Sequence, residues 1–330
     1  MKIDRNFIAL KSGVSSATVS RVFNDPKLVA PDKVELVLAV SKKYGYSPNK
    51  MASALRRKNT GIIAFLECGI KDIANISRDF LWTYASGIKS VQSVLKQTMY
   101  QINLVSLYEE KAAEYFKKKE CDGIVTYNLT KDYKKLVRDS RIPYVDCYRE
   151  QSKEFNTVFI DEFYGGFLAG ECLKNTGHKK PAHIAAGLDI ASESRERYEG
   201  FKSALGLEPK LYCGDYGIRG GYEQGLKIAK EIKAKQVDGI FAHNDLIAFG
   251  VIQALASKGI KIPEDVSLIG YDNMPYLDSL PFKLTTLELP IFETYRIATG
   301  KLLQLIKEGG KVYESVKPVL VPGDSVLNRE

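Results

Sequence analysis

Residues 13–24 carry side chains that could read the edges of base pairs. Ser15 can accept a backbone N–H and so begin a helix. Within that helix Val19, Val22 and Phe23 recur at i, i+3 and i+4, which predicts one buried stripe. The opposite face then presents Ser16, Ala17, Ser20 and Arg21, with Asn24 at its end. Small polar side chains permit close approach to a major groove, and an arginine can donate two hydrogen bonds to guanine.

This helix needs neighbours that hold it in place. A first helix is predicted over about Asp4 to Lys11, with a tight turn at Gly13. A third helix is predicted over about Pro31 to Tyr44, since proline suits a first helical position and Gly45 suits an end. The pattern therefore predicts a three-helix head. A three-helix domain that binds another protein would show the same pattern.

The charge distribution favours a polyanionic partner for this head. Residues 1–58 hold 12 Lys/Arg and 4 Asp/Glu, a net charge of +8, and the whole chain is also +8. The body is therefore neutral overall, and the excess positive charge lies in the head. A basic ribosomal or membrane-surface segment would give the same charge distribution.

Several motifs along nearly the whole chain resemble one protein family. They are GVSSATVSRVFN, YGYSPNKMASALRRKNTGIIA, VDGIFAHNDLIAFG, IPEDVSLIGYDN and LTTLELP. Together they resemble the lactose-repressor/galactose-repressor family of bacterial transcription regulators. The chain departs from the usual pattern at Phe7, at Ala30, where a serine usually caps the third helix, and at Lys33-Val34. These departures affect individual phosphate contacts and leave the head's identity unchanged.

The resemblance implies a fold and a domain division. The fold would be a small all-α helix-turn-helix head followed by a two-lobed α/β body of parallel sheets, like a periplasmic binding protein. Residues 1–46 would form the head, 47–58 a hinge helix or linker, and 59–330 the effector-binding and dimerisation body. The chain would cross between lobes near residues 158, 287 and 319. The body sequence agrees with parallel sheets, because short apolar runs such as Gly239–Ala242 alternate with helical stretches such as Leu246–Ser257.

The basic segment Lys50–Lys58 is too short to form a stable helix alone in water. Read by itself it is equally a solvated linker. By resemblance it is a hinge helix that folds on DNA, where Leu55 wedges into a minor-groove step and Arg56 lies near phosphates. The full set of expected DNA-binding residues is Ser16, Ala17, Thr18, Ser20, Arg21, Asn24, Asn49, Leu55 and Arg56.

Polar and aromatic residues follow the predicted strands, where ligands bind in open parallel sheets. Planar donors and acceptors beside aromatic rings suit a polyhydroxylated ligand, although each residue alone could equally be a helix cap or a surface ion pair. By resemblance the effector-binding residues are Phe80, Asp146, Arg197, Tyr216, Asn244 and Asp272. Trp82 could stack on a sugar or pack in a dimer interface. Asp245 is expected to cap the helix that begins at Leu246.

Other features of the sequence argue against a secreted protein, a membrane protein and an enzyme. Five widely spaced cysteines without a C-x-x-C pair, no apolar leader and no long apolar run predict a cytoplasmic protein. The three histidines lack metal-ligand spacing and no nucleophile motif is present, so no enzyme activity, metal or cofactor is expected. We therefore expect a homodimeric repressor that binds operator DNA and responds to a sugar or sugar derivative. A regulator controlled by a partner protein, and a sugar-binding or sugar-processing protein with an incidental basic head, are the alternatives.

Overall fold

The computed structural model describes residues 3–46, 59–68, 81–107, 109–127, 129, 131–148, 153–188 and 192–329. The chain divides into two compact units, Met1–Gly61 and Ile62–Glu330. We call them the head and the body and describe each by itself. No helix in these ranges has the length and apolar composition that a membrane crossing requires.

Residues 3–46 of the head form three α-helices, α1 (Arg5–Lys11), α2 (Ser16–Asn24) and α3 (Pro31–Lys43), with a short 3-10 turn at Pro26–Leu28. Asp4 caps α1, and the turns after α1 and α3 contain Gly13 and Gly45, both with positive φ. A small core of Ile8, Val19, Val22 and Val37 joins the helices. The predicted apolar stripe of α2 is confirmed, and α3 begins at Pro31 as the sequence predicts. Ala30 at its N-cap makes no side-chain hydrogen bond.

The body alternates strands and helices. Its strands are β1 (Ile62–Cys68), β2 (Gln101–Leu107), β3 (Gly123–Tyr127), β4 (Tyr144–Tyr148), β5 (Thr157–Ile160), β6 (Pro181–Ala185), β7 (Lys210–Cys213), β8 (Gly239–Ala242), β9 (Ser267–Asp272), β10 (Thr285–Glu288), β11 (Tyr313–Val316) and β12 (Val319–Val321). Its helices are α4 (Leu81–Leu95), α5 (Glu109–Lys118), α6 (Lys131–Asp139), α7 (Glu162–Asn175), α8 (Ser192–Leu205), α9 (Ile218–Lys233), α10 (Asp245–Ser257) and α11 (Ile291–Glu308). A 3-10 turn occupies Leu277–Ser279.

These strands form two six-stranded sheets, which confirms the predicted two-lobed α/β fold. The first lobe has the order β11-β5-β4-β3-β1-β2, and the second has β12-β10-β9-β8-β6-β7. Within the described pairs only β12 is antiparallel, against β10. The chain passes from the first sheet to the second after β5, returns after β10, and passes back between β11 and β12. The lobes are therefore interleaved in sequence.

Both faces of each sheet are covered, which explains why the strands read as continuous apolar runs. In the first lobe α4 and α11 pack over a core that includes Phe65 and Tyr295, while residues of α5 and α6 pack on the other face. In the second lobe α7 and α8 lie in backbone contact. A Cβ on Gly166 would lie 1.9 Å from the carbonyl oxygen of Arg197, and one on Gly200 equally close to that of Phe163. Only glycine permits this approach, which brings Arg197 against the start of α7.

Candidate functional site

The outward face of α2 is built by its cap and its buried stripe. The Ser15 side chain accepts a hydrogen bond from the Thr18 backbone N–H at 3.0 Å, which fixes the first turn of the helix. Burial of Val19 and Val22 then turns Ala17 and Arg21 outward, and both are exposed. Ser16, Thr18 and Ser20 are half-buried, and the Ser16 hydroxyl donates to Asn6 of α1 at 2.9 Å. The helix thus offers a small exposed surface with Arg21 as its cation.

Four of the predicted contact residues cannot be located. Asn49, Leu55, Arg56 and Phe80 lie outside the described residues. Asn24 is the last residue of α2, and the surroundings of its side chain are not described. The roles assigned to these residues stay predictions.

In the second lobe Arg197 is the centre of a buried polar cluster. Its Nε donates to the Glu162 carboxylate at 2.8 Å, and its Nη1 donates to the His243 carbonyl oxygen at 2.7 Å. The guanidinium lies 3.6 Å from the centre of the Tyr271 ring, and the Tyr271 hydroxyl donates to the same Glu162 oxygen at 2.7 Å. Burial lowers the pKa of the Arg197 guanidinium, but Glu162, Tyr271 and Asp272 together outweigh this effect, so that the pKa is raised. Arg197 is therefore charged and held in one orientation.

Asn244 and Tyr216 lie next to this cluster. The Asn244 side chain caps α10 by accepting from the Ile247 N–H at 2.8 Å, and its amide donates to the Tyr216 carbonyl oxygen at 3.1 Å. The Tyr216 hydroxyl is 3.2 Å from the Ser194 hydroxyl, and its ring meets His243 edge-on. Both residues thus lie near Arg197, and the Asn244 side chain donates one hydrogen bond and accepts one within the body.

Asp272 ends β9 and lines a cleft of about 290 Å³ together with Asn273, Trp82 and Ser86. The remaining lining residues are Glu288, Leu289, Pro290, Ile291, Phe292 and Glu293, from the second crossover and the start of α11. Asp272 and Asn273 have φ angles of +109° and +54°, so two consecutive residues with side chains adopt the left-handed region. Trp82 and Asp272 thus bring both lobes to one cleft, which is where a small ligand would contact both.

Asp146 occupies a different environment from the one predicted. It lies within β4 rather than after a strand end, and it is only 2% exposed. Its carboxylate pairs with the buried Lys134 ammonium at 2.7 Å and accepts a hydrogen bond from the Thr126 hydroxyl. Asp146 therefore bridges β3, β4 and α6 inside the first lobe.

The expectation that Asp245 caps α10 is wrong. Asn244 is the cap, and Asp245 is the first residue of the helix. The Asp245 carboxylate is fully buried and accepts from the Met274 N–H at 2.9 Å and from the Thr286 hydroxyl at 2.7 Å. Asn244 and Asp245 both have side chains that could cap a helix. Asn244 is the cap because the Asp245 carboxylate is bound by Met274, after β9, and by Thr286 of β10.

Comparison with known proteins identifies the family. Residues 8–49 match bacterial regulatory proteins of the lacI family, and residues 171–326 match the periplasmic binding protein-like domain. The HTH-type transcriptional repressor PurR of Haemophilus influenzae strain KW20 is 31% identical, with 97% of each chain covered. The chain belongs to the LacI family.

Two solved structures of LacI-family proteins have the same fold. A regulator from Enterococcus faecium with bound ribose is 26% identical and has a TM-score of 0.65, over 82% of this chain and 100% of that chain. The lac repressor dimer bound to operator and an anti-inducer is 21% identical and has a TM-score of 0.76, over 99% and 100%. The head of this LacI-family protein is accordingly a helix-turn-helix DNA-binding domain, and its body is the periplasmic-binding-protein-like part.

The sequence alone does not indicate two buried residues of the body that form ion pairs with predicted site residues. Glu162 anchors Arg197, and Lys134 neutralises Asp146. A lysine in an amphipathic stretch and a glutamate at the first position of a helix look like solvent-facing residues in a single sequence. The one sequence feature that points to these two residues is that each follows a strand end, since parallel strands bring their carboxyl ends together at one edge of the sheet.

Proposed function

We propose that this protein is a transcriptional repressor that binds operator DNA as a homodimer and is controlled by a sugar or sugar derivative between its lobes. The division of labour proposed is 1–46 for base reading, 47–58 as the hinge and 59–330 as the effector-binding body. The site of action would be the cytoplasm, and regulation rather than catalysis would be the activity.

One observation carries the DNA-binding half of this proposal. The exposed face of α2 combines a small residue, Ala17, with an exposed cation, Arg21, on a helix that is capped and anchored to a core. This suits direct reading of a guanine by Arg21, with the backbone contacts supplied by the other predicted positions. The lac repressor structure with a comparable fold is a dimer on operator, which supports the homodimer.

A matched pair of variants tests base reading by Arg21. Arg21→Ala should weaken binding to a selected operator by about 1–3 kcal/mol and weaken binding to random DNA much less. Lys27→Ala removes the same charge from an exposed position in the 3-10 turn and should weaken both DNAs about equally. Fluorescence anisotropy at fixed salt measures all six affinities, those of the wild type and the two variants for both DNAs. Equal losses on both DNAs in Arg21→Ala would make Arg21 a phosphate contact.

The geometry of the cleft supports the ligand half. Asp272, Asn273 and Trp82 combine a carboxylate, an amide and an aromatic face, the groups that bind hydroxyls and the C–H face of a sugar. The Enterococcus faecium relative with bound ribose supports a sugar as the ligand class. A thermal-shift screen with D-ribose, cellobiose, other free sugars, sugar phosphates and purine bases tests this. A ligand at 100 times its Kd would add about 2.7 kcal/mol of stability.

A second candidate, a regulator whose body is controlled by a partner protein, is favoured by a specific observation. Arg197, Asn244 and Asp146 all direct polar atoms to partners within the body. No thermal shift with any of the small molecules, combined with intact operator binding, would place this candidate ahead.

A further inference from the structure

The proposed binding of DNA and of the ligand assigns no role to Asp245, yet its buried carboxylate accepts hydrogen bonds from two other parts of the second lobe. It is fully buried at the first turn of α10. It accepts hydrogen bonds from the Met274 backbone N–H and the Thr286 hydroxyl. Met274 lies in the turn that follows β9, and Thr286 lies in β10.

The turn that Asp245 holds is the unusual part of the second lobe. Asp272 and Asn273 both have positive φ, a conformation that is unfavourable for residues with a side chain. Such a conformation persists only where surrounding contacts determine it. The carboxylate of Asp245 accepts from Met274 directly after this turn and from Thr286, which pairs with Gly270 just before it, and these two contacts hold the turn from both sides.

The packing of β9 also leaves room for this one carboxylate. A Cβ on Gly270 would lie 2.2 Å from Asp245 Oδ1 and 3.3 Å from Thr286 Oγ1. Gly270 pairs with Thr286 in the β9–β10 register, and Asp272 pairs with Glu288 two residues further on. The close approach of α10 to β9 therefore depends on a glycine directly before Tyr271.

We propose that Asp245 is a positioning residue, whose carboxylate holds the Asp272–Asn273 turn in its left-handed form and so places the Asp272 carboxylate in the cleft. The proposal rests on the proposed function insofar as Asp272 binds the ligand. Its structural half, that the turn depends on Asp245, stands independently of any ligand.

The variant Asp245→Asn keeps the shape of the side chain and puts an NH₂ donor where one of the acceptor oxygens was. Since the surrounding groups are donors, the amide can satisfy only part of them. In the full-length protein we expect amide hydrogen exchange at residues 270–276 to accelerate about tenfold or more, with exchange at residues 181–186 unchanged. The D-ribose affinity should fall about tenfold or more in the same variant.

Asp238→Asn is the matched control. Asp238 also accepts two backbone hydrogen bonds, from Lys179 and Lys180 at 2.8 and 3.0 Å, but it precedes β8 at the amino edge of the same sheet. Its replacement should leave exchange at 270–276 and D-ribose affinity as in the wild type. Equal effects of the two variants on the turn would overturn the proposal.

A rescue variant separates positioning from general support of the fold. Glycine adopts positive φ without cost, so Asn273→Gly in the Asp245→Asn background should recover at least part of the Tm that Asp245→Asn loses. Ligand affinity is not the readout for this rescue, because Asn273 itself lines the cleft. No recovery in the double variant, or unchanged exchange at 270–276 in a folded Asp245→Asn, would overturn the proposal. A wild-type protein that does not bind D-ribose would count against that sugar alone, because the exchange measurement still decides the role of Asp245.

Discussion

Replacement of Arg197 by methionine should destabilise the body strongly even without any ligand. The variant removes the cation from Glu162, which is 2% exposed, and leaves the His243 carbonyl oxygen without its guanidinium donor. Breaking a buried pair by removing one partner costs about 3–5 kcal/mol. For a body of this size each kcal/mol lowers Tm by about 2–4 °C, so we expect a decrease of roughly 6–20 °C.

The accompanying variants identify the cause of that loss. Glu162→Gln combined with Arg197→Met removes both charges but keeps an acceptor for the Tyr271 hydroxyl, and it should recover most of the lost stability. Lys301→Met breaks the exposed Lys301–Glu314 pair of the first lobe and should cost less than about 1 kcal/mol. Differential scanning calorimetry of five proteins, the wild type, Glu162→Gln, Arg197→Met, their double variant and Lys301→Met, measures these effects. A double variant whose loss equals the sum of the single losses would refute coupling between Arg197 and Glu162.

Three further predictions concern the cap, a buried histidine and the cleft. Ser15→Ala should cost about 1 kcal/mol in the head, because the Thr18 N–H loses its acceptor, and hydrogen exchange should accelerate in α2 more than in α3. Burial lowers the pKa of His183 to about 3, so below pH 6.5 the unfolded chain binds a proton that the native protein does not. As the pH falls from 6 to 4, the wild type should therefore lose about 1.4 kcal/mol of unfolding free energy per pH unit relative to His183→Phe. Parallel pH profiles of the two proteins in urea titrations would contradict this. For any sugar that raises the wild-type Tm, Asp272→Ala should weaken the binding free energy by about 1–3 kcal/mol. If titration calorimetry gives the wild-type affinity for this variant, the effector site lies elsewhere.

The sequence predicts best those elements whose determinants are local. The stripe of Val19 and Val22 and the cap at Ser15 lie within a few residues of one another, so their periodicity and chemistry are sufficient to place α2. In the same way the apolar run Gly239–Ala242 coincides with β8, because a continuous apolar run is the sequence pattern of a strand buried on both faces. The interleaving of the lobes came instead from the family resemblance, since no local pattern tells one parallel sheet from two.

The candidate site was harder to predict because its contacts join distant parts of the chain. Glu162 and Arg197 are 35 residues apart and meet because two glycine-mediated helix contacts bring α7 against α8. Asp146 and Lys134 lie on neighbouring elements, and only the sheet shows that the strand turns this carboxylate toward α6. A cap residue is equally ambiguous, because Asn244 and Asp245 have the same local propensity and differ only in what β9 offers them.

The interleaved course of the chain has a consequence for synthesis on the ribosome. The first lobe has five strands when β5 ends at Ile160, but its edge strand β11 begins only at Tyr313, and α11, which covers part of its core, ends at Glu308. At about 5–20 residues per second, the ribosome needs roughly 7–30 s to make the intervening segment. During that interval the apolar face that later meets α11 has no cover, and the whole second lobe except β12 emerges first. Nascent chains should therefore depend on chaperones until translation is nearly complete, although the head, encoded first, has its own core from the start.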